Sequence, residues 1–356
     1  MPREATCLKA PKKQGQSIIV LASKFGIIDR ELEIQRDEKA IYIPLISKLS
    51  GDAFTTLKEK VPESSITTRV FPEMKKQQAS LASSLAPALP PHLSASLPHS
   101  ADIVGSIAII ELTPELDQYR EVIGKAVMES NRNVRTVLAK ASAISGIYRL
   151  RNYTVIAGKP NTETVHKEYG CRYYVDVTKA YYSPRLSNEH NRIAGLVKEG
   201  ETVIDLFAGV GPFAVKIAKS QDSAKVYAID INPDAVEYLK RNIRLNRVDG
   251  KVHALLGDAG QIANEKFRSV ADRVIMNLPE KAIEFVDVAC VAIKPRGGTV
   301  HFYGFVSESE PLENMKRHFS EAVEESGRAV DSFLFSRLIR ATAPHEWQVV
   351  LDAHIK

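Results

Sequence analysis

The run VIDLFAGVGPF (203–213) constrains this chain more than any other segment. An apolar, strand-like stretch carries Asp205, passes through Gly209-Val210-Gly211, and meets Pro212. Glycine lets a backbone turn sharply and approach a ligand closely. Proline suits the first turn of a helix, where its missing N–H costs nothing. The segment therefore reads as strand, tight loop, helix. Alternation continues around it, with strands expected at 202–206, 226–231, 252–256, 273–276 and 299–303, and helices at 212–220 and 233–246. Regular β/α alternation predicts a mostly parallel, doubly wound sheet.

Such a sheet binds ligands along the carboxyl ends of its strands. Gly209-x-Gly211-x-x-Ala214 by itself also fits a dinucleotide fingerprint. Two features favour S-adenosylmethionine. Asp205 stands inside the first strand end, where a carboxylate would crowd a pyrophosphate but accept from an ammonium. Downstream, Asp230 closes the second strand, placed for both ribose hydroxyls, and Asp258 follows the third, placed for the adenine amine. Helix capping is the alternative role for any one of these aspartates.

The fourth strand ends in Asn277-Leu278-Pro279-Glu280. Enzymes that methylate exocyclic amines often carry Asn/Asp-Pro-Pro-aromatic at this place. Glu280 stands where the aromatic would be, which points to another nitrogen or to carbon. An ordinary strand-to-loop turn is the competing reading.

Upstream, DVTKAYYSPRLSNEHNRI (176–193) carries Tyr181, Tyr182, Arg185, Glu189 and Arg192. On a helix starting near Pro184, Arg185 and Glu189 would share a face, serving either a base and its phosphate or a surface ion pair. Tyr148-Arg149-Leu150-Arg151, within a strand expected over 146–157, puts both arginines on one face, to contact phosphate or to meet solvent.

At 356 residues the chain exceeds one ordinary core. Residues 1–62 read as a small α/β domain, with 17–24 helix or strand and 40–46 strand. Residues 63–100 read as a linker, because 77–100 is rich in Ser, Ala, Leu and Pro and carries no charge, although its leucines could dock on a neighbour. Residues 101–180 read as an α+β middle domain, with one buried strand over 103–112, a helix over 115–130, and strands at 134–138 and 171–176. The catalytic unit is 181–356. Cys7, Cys171 and Cys290 form no CxxC pair, so neither zinc nor a disulfide scaffold is suggested, and free thiols fit a reducing cytosol. A net charge of +5 is compatible with a polyanionic partner without demanding one. Neither a signal peptide nor a membrane-spanning run is expected, which points to the cytoplasm.

The runs YYSPRLSNEHNRIAGLVKEGETVIDLFAGVGPF and MNLPEKAIEFVD, with ETVHKEYGCRYYVDV, LPHSADIVGSIAIIEL and IIDRELEIQRDEKAIYIPL, resemble the archaeal/eukaryotic-type tRNA (guanine-37 N1)-methyltransferase family over nearly the whole chain. The resemblance implies a C-terminal Rossmann-like class I methyltransferase domain, behind an α+β middle domain and a small N-terminal α/β domain. It implies methyl transfer from S-adenosylmethionine to N1 of guanine 37, and tRNA held at its anticodon stem-loop and outer corner by a monomer. Glu189 matches the general base. Arg149, or else Arg151, matches the arginine near guanine O6. Asn277 and Pro279 match the Asn-Leu-Pro motif. Tyr181 and Arg185, with Arg151 and Arg192, are expected at the substrate. Asp205, Phe207, Gly209, Gly211, Asp230, Ile231, Asp258, Ala259 and Asn277 are expected at the cofactor. No metal ligands are implied. Thr342 stands where the family carries tyrosine, which affects an RNA or packing contact rather than the chemistry. The alternative within the same implied lineage is a wyosine-pathway transferase acting at the same tRNA position, by carbon methylation of the tricyclic base or by aminocarboxypropyl transfer, alone or as a bifunctional enzyme that also methylates N1. A nicotinamide-dependent oxidoreductase and a non-catalytic RNA-binding protein are the outside readings.

Overall fold

The computed structural model describes residues 2–46, 57–58, 60–73, 85, 89–98, 100–307, 312–343 and 346–356. It divides into two compact units, residues 1–80 and 81–356.

In the first unit, β1 (Arg3–Pro11) is the hub of a four-stranded antiparallel sheet with β2 (Gln35–Arg36), β3 (Ala40–Pro44) and β4 (Ser65–Phe71), in the order β2-β3-β1-β4. The stretch 17–24 resolves as helix, within α1 (Gly15–Lys24), whose Ile18 and Ala22 pack with Leu8, Ala10, Ile41 and Ile43. β4 lies inside the stretch expected to be a linker. It pairs with β1 over seven residues, because β1 otherwise exposes an edge of unpaired backbone groups.

The described leucines of the uncharged stretch are a second correction. Leu85, Leu89, Leu93 and Leu97 recur every four residues and are buried with Ile110, Leu116, Ile123 and Val137. Low charge made the segment look like a tether, yet its apolar spacing matches one helical face. Residues 77–84 and 86–88 lie outside the described residues.

The buried strand expected over 103–112 is two strands, β5 (Asp102–Val104) and β6 (Ile107–Ile110), folded antiparallel around Gly105-Ser106. β6 runs parallel to β7 (Thr136–Lys140), which pairs with β8 (Tyr153–Gly158). The helix expected at 115–130 begins as a 3-10 turn (Pro114–Tyr119) and becomes α2 (Arg120–Ser130). It crosses from β6 to β7, burying Ile123, Ala126 and Val127.

A hairpin of β9 (Glu163–Glu168) and β10 (Cys171–Asp176) follows, then α3 (Ser187–Leu196). Beyond it comes the alternating unit: β11 (Thr202–Asp205), α4 (Pro212–Ser220), β12 (Lys225–Asp230), α5 (Pro233–Asn246), β13 (Val252–Leu256), α6 (Ala259–Lys266), β14 (Arg273–Met276), α7 (Val286–Ala292), β15 (Gly298–Ser307), α8 (Leu312–Glu325), β16 (Val330–Ala343) and β17 (Glu346–Ile355). The sheet order is β13-β12-β11-β14-β15-β17-β16; the first five strands are parallel, β17 runs antiparallel to β15, and β16 pairs antiparallel to β17. The order reverses between β11 and β14, and a doubly wound sheet opens its ligand crevice at that reversal. β14 is buried along its whole length, as a central parallel strand covered on both faces must be.

α5 ties the hairpin to this unit. Asn232 caps its start by accepting from the Asp234 N–H, and Pro233 fills the first turn. Asn242 and Asn246, one turn apart, face β10. Asn242 accepts from Tyr174 N at 2.6 Å and donates to Tyr174 O at 3.0 Å. Asn246 repeats the pair on Arg172, at 2.9 and 2.6 Å. Two side-chain amides thus complete a strand edge as a neighbouring strand would.

Candidate active site

A cavity of about 670 Å³ opens at the carboxyl ends of β11, β12, β13 and β14. That size suits a small-molecule site. Its floor is the glycine loop. Gly209 and Gly211 both have positive φ, +54° and +88°, and a Cβ on Gly211 would lie 2.3 Å from Leu239 Cδ1. Only glycine fits there, since the turn needs left-handed backbone and α5 packs directly against it.

Asp230 shapes the loop, accepting from Gly209 N at 2.6 Å and from Asn232 N at 2.9 Å. Burial raises its carboxyl above the ordinary range, against the pull of those two N–H groups. Asp205 is fully buried, and its Oδ2 has no hydrogen-bond partner among the described residues. Burial lifts its carboxyl from 3.8 to about 7, with the Asp230 charge adding to the rise and the Phe207 N–H opposing it. An orphaned buried carboxylate oxygen is costly unless a ligand completes it. Asp258 is the capping residue of the three, accepting from Gln261 N at 2.9 Å to start α6.

Phe207 packs edge-on against Phe285 on the cavity wall, ring centroids 5.0 Å apart. Ile231, Ala259, Asn277, Pro279 and Tyr181 also line the cavity, whereas Asp205 and Gly211, expected at the cofactor, lie outside the lining next to Leu206 and Pro212. Arg149 also lines it, by a route other than the one read from the sequence. The strand expected over 146–157 begins only at Tyr153; residues 145–150 form a tight turn closed by a Ser145–Leu150 bridge, and Arg149 adopts φ +56°. A turn cannot place Arg149 and Arg151 on a common face. Arg149 stands 5.6 Å over the Tyr181 ring, with Nη1 buried and without a hydrogen-bond partner among the described residues, while Arg151 lies outside the lining.

Glu189, Arg185 and Arg192 are likewise outside the lining, although Leu186 and His190, flanking Glu189, are part of it. Arg185 sits in a 3-10 turn (Pro184–Leu186) ahead of α3, so it does not share the helix of Glu189, and its Nε bonds Asp102 at 2.5 Å. Glu189 is 1% exposed. Its Oε2 accepts from Arg192 Nε at 2.9 Å and from the Tyr303 hydroxyl at 3.2 Å; its Oε1 accepts from Arg337 Nη2 at 2.9 Å. Tyr303 and Arg337 come from β15 and β16, and sequence reading singled out neither. The pattern at 330–343 alternates weakly, and β16 shifts register four times against β17, which blurs a period of two.

Comparison with known proteins places these features in a lineage. The model of the TRM5/TYW2 methyltransferase domain matches residues 164–330, the TYW2 N-terminal domain matches 81–162, and the tRNA methyltransferase 5 N-terminal domain matches 7–54. The chain is 37% identical to a tRNA (guanine(37)-N(1))-methyltransferase, Trm5b, of Pyrococcus abyssi, over 98% of both chains. It is 34% identical to the tRNA 4-demethylwyosine(37)-methyltransferase Taw21 of Saccharolobus solfataricus, over 70% of this chain and 92% of that one. Among solved structures, the complex of aTrm5 and tRNALeu has a TM-score of 0.69 at 28% identity, covering 98% of this chain and 99% of that one. The M. jannaschii TYW2 in complex with AdoMet has a TM-score of 0.56 at 28% identity, covering 72% and 99%.

Proposed function

This chain belongs to the archaeal/eukaryotic-type tRNA (guanine-37 N1)-methyltransferase family, and on that premise we propose that it methylates N1 of guanine 37 in tRNA, with S-adenosylmethionine as donor and Glu189 as general base. The observation that carries the reading is the orphaned Asp205 Oδ2 beside a glycine loop, one strand from Asn277-Leu278-Pro279. It suits a ligand that brings an ammonium group, which a nicotinamide dinucleotide does not.

When bound, S-adenosylmethionine supplies an electrophilic methyl on sulfur, which departs as a neutral thioether. The residues of the chain do the rest. Asp205 takes the ammonium, Asp230 the ribose hydroxyls with lone pairs its backbone bonds leave open, and Ile231, Asp258 and Ala259 the adenine. Phe207 walls that end. At the other end, Asn277 and Pro279 hold the target base, which must leave the RNA stack to enter. Guanine N1 carries a proton at neutral pH and is a poor nucleophile. Glu189 accepts that proton as the N1–carbon bond forms. Negative charge then grows on O6, and Arg149, held against Tyr181, stabilises it where it develops. Tyr181, Arg151 and Arg185 flank the approach, while Arg192 acts on the substrate only through Glu189. In this reading 101–180 and 181–356 act as middle and catalytic domains of a cytoplasmic monomer that grips the anticodon stem-loop and the outer corner. Among the described residues, no helix is long and apolar enough to cross a membrane.

A wyosine-pathway activity is the second reading, favoured by the likeness to Taw21. The match to the tRNA methyltransferase 5 N-terminal domain over 7–54 favours N1 methylation. Incubation with radiolabelled S-adenosylmethionine and two unmodified transcripts, differing only by guanine or adenine at position 37, separates them. Label on the guanine transcript alone, released as 1-methylguanosine, supports the proposal. No label on either, with cofactor binding intact, supports the second reading, because a wyosine enzyme needs a premodified base.

A further inference from the structure

Behind Glu189 runs a chain of buried polar groups. Arg192 donates to Glu189 through Nε and to Asp352 Oδ2 through Nη1, at 2.9 and 2.5 Å. Asp352 Oδ1 meets His301 Nδ1 at 2.7 Å, and His301 Nε2 meets Arg273 Nη1 at 3.3 Å. Arg273 is clasped by Glu201, Nε to Oε2 at 2.6 Å. His301 and Asp352 are buried, on β15 and β17, and are paired directly across the strands. A guanidinium cannot accept a hydrogen bond. His301 Nε2 must therefore accept from Arg273, which leaves the ring proton on Nδ1, donated to Asp352. Asp352 thus accepts from both His301 and Arg192, and Arg192 in turn donates to both Asp352 and the proposed base.

Charge explains why such a chain is useful. Two guanidiniums on one carboxylate compete with a substrate proton for its lone pairs. Arg192, however, is shared between two carboxylates, Glu189 and Asp352. Burial would raise the Asp352 carboxyl, but the His301 N–H and Arg192 hold it at about 2. Asp352 thus stays charged and offsets Arg192. The other cation, Arg337, is of a different kind. Its side chain is 52% exposed on the edge strand β16, whereas that of Arg192 is 19% exposed. Both guanidiniums lie over the Phe335 ring, at 5.7 and 4.4 Å. Arg337 is the separable partner.

Resting on Glu189 as the base, we propose that Asp352 and His301 are positioning residues for methyl transfer: they hold Arg192 on Oε2 of Glu189 and offset its charge, while Arg337 guards Oε1 and yields it to the N1 proton of the entering guanine. Once Arg337 leaves, Glu189, Arg192 and Asp352 together carry one net negative charge, which favours proton uptake by Glu189. The charged and titratable groups facing Glu189 are Arg192 on its own helix, Tyr303 on β15, Arg337 on β16 and, through Arg192, Asp352 on β17. His190 next to it on α3 turns to Glu168 at 2.7 Å.

The test is the pH profile of single-turnover methyl transfer to the guanine-37 transcript at subsaturating enzyme, where the groups of the free enzyme are read, for wild type, Asp352→Asn, His301→Gln, Arg337→Gln and Glu189→Gln. Asp352→Asn leaves Arg192 wholly to Glu189, so the acid limb moves to lower pH and the plateau falls about 10²-fold from lost positioning and basicity. Arg337→Gln removes a competing cation, so its acid limb moves to higher pH. Opposite displacements are a signature that simple destabilisation does not produce. His301→Gln, which keeps a donor toward Asp352, should fall between wild type and Asp352→Asn; it serves if Asp352→Asn fails to fold by circular dichroism. Acid limbs unmoved in Arg337→Gln and in the folded network variant, with Glu189→Gln still impaired, would overturn the positioning roles and leave the base in place. Wild-type turnover in Glu189→Gln would instead overturn the base itself.

Discussion

Arg149 donates from Nη2 to Glu280 Oε1 at 3.1 Å, joining a turn and a strand end 131 residues apart. Both line the cavity, so the arginine proposed to stabilise charge on O6 is already aimed by a carboxylate at the place where exocyclic-amine enzymes carry an aromatic ring. The Glu280 side chain is 53% exposed and the pair is worth little to stability, at most about 1 kcal/mol.

The two residues should therefore separate by mutation. Arg149→Ala should lower single-turnover methylation by about 10²–10³-fold, the loss typical of one donor to a developing oxyanion. Glu280→Gln should leave the rate within several-fold and the melting temperature nearly unchanged. Equal losses in both variants would show that the pair, rather than the free guanidinium, is what catalysis uses.

Glu189→Gln should cut turnover by about 10²–10⁴-fold, the usual contribution of a general base, while tRNA binding measured by filter retention survives. Wild-type turnover would remove Glu189 from the mechanism.

Asp205 predicts a pH dependence. Its folded carboxyl sits near 7 against 3.8 in the ordinary range, so the folded state binds the proton more tightly than the unfolded one. Stability from this group is present at low pH and is lost as pH rises from 3.8 through 7. Chemical denaturation should show the wild type losing stability relative to Asp205→Asn across that window. S-adenosylmethionine, bringing a cation to the charged form, should bind more tightly as pH rises through 7. A dissociation constant flat with pH, or equally steep in Asp205→Asn, would contradict this.

Gly211→Ala should destabilise the protein by about 1–3 kcal/mol, because left-handed backbone and the Leu239 contact oppose any side chain there. Urea denaturation would measure the loss. A change below a few tenths of a kcal/mol would mean that the loop relaxes freely.

Leu97→Ala tests whether the uncharged stretch is core. Leu97 is 5% exposed, and truncating a buried leucine costs about 2–5 kcal/mol. A tether would show no change in the urea midpoint.

The sequence by itself determined the periodic half of this molecule. Strands β11 to β15, helices α4 and α5, the glycine loop and the aspartates at successive strand ends were legible because each depends on a local rule: alternation, a helix-starting proline, a turn that only glycine can make. Eight of the expected site residues reach the cavity for that reason, among them Asp230, Asp258 and Asn277, at the ends of β12, β13 and β14. Long-range pairing was decided only in the tertiary structure. β4 crosses back to β1 from a segment that looked like a linker, and Arg149 reaches Tyr181 through a turn where a strand was expected. The partners of Glu189 arrive from Tyr303, Arg337 and, through Arg192, Asp352, more than a hundred residues away. A side chain's type and local period fix which element it joins, but the charge it meets depends on which strands the sheet lays side by side. The proposed base is therefore readable as a glutamate in the sequence, whereas its surroundings exist only once β15, β16 and β17 have closed over it.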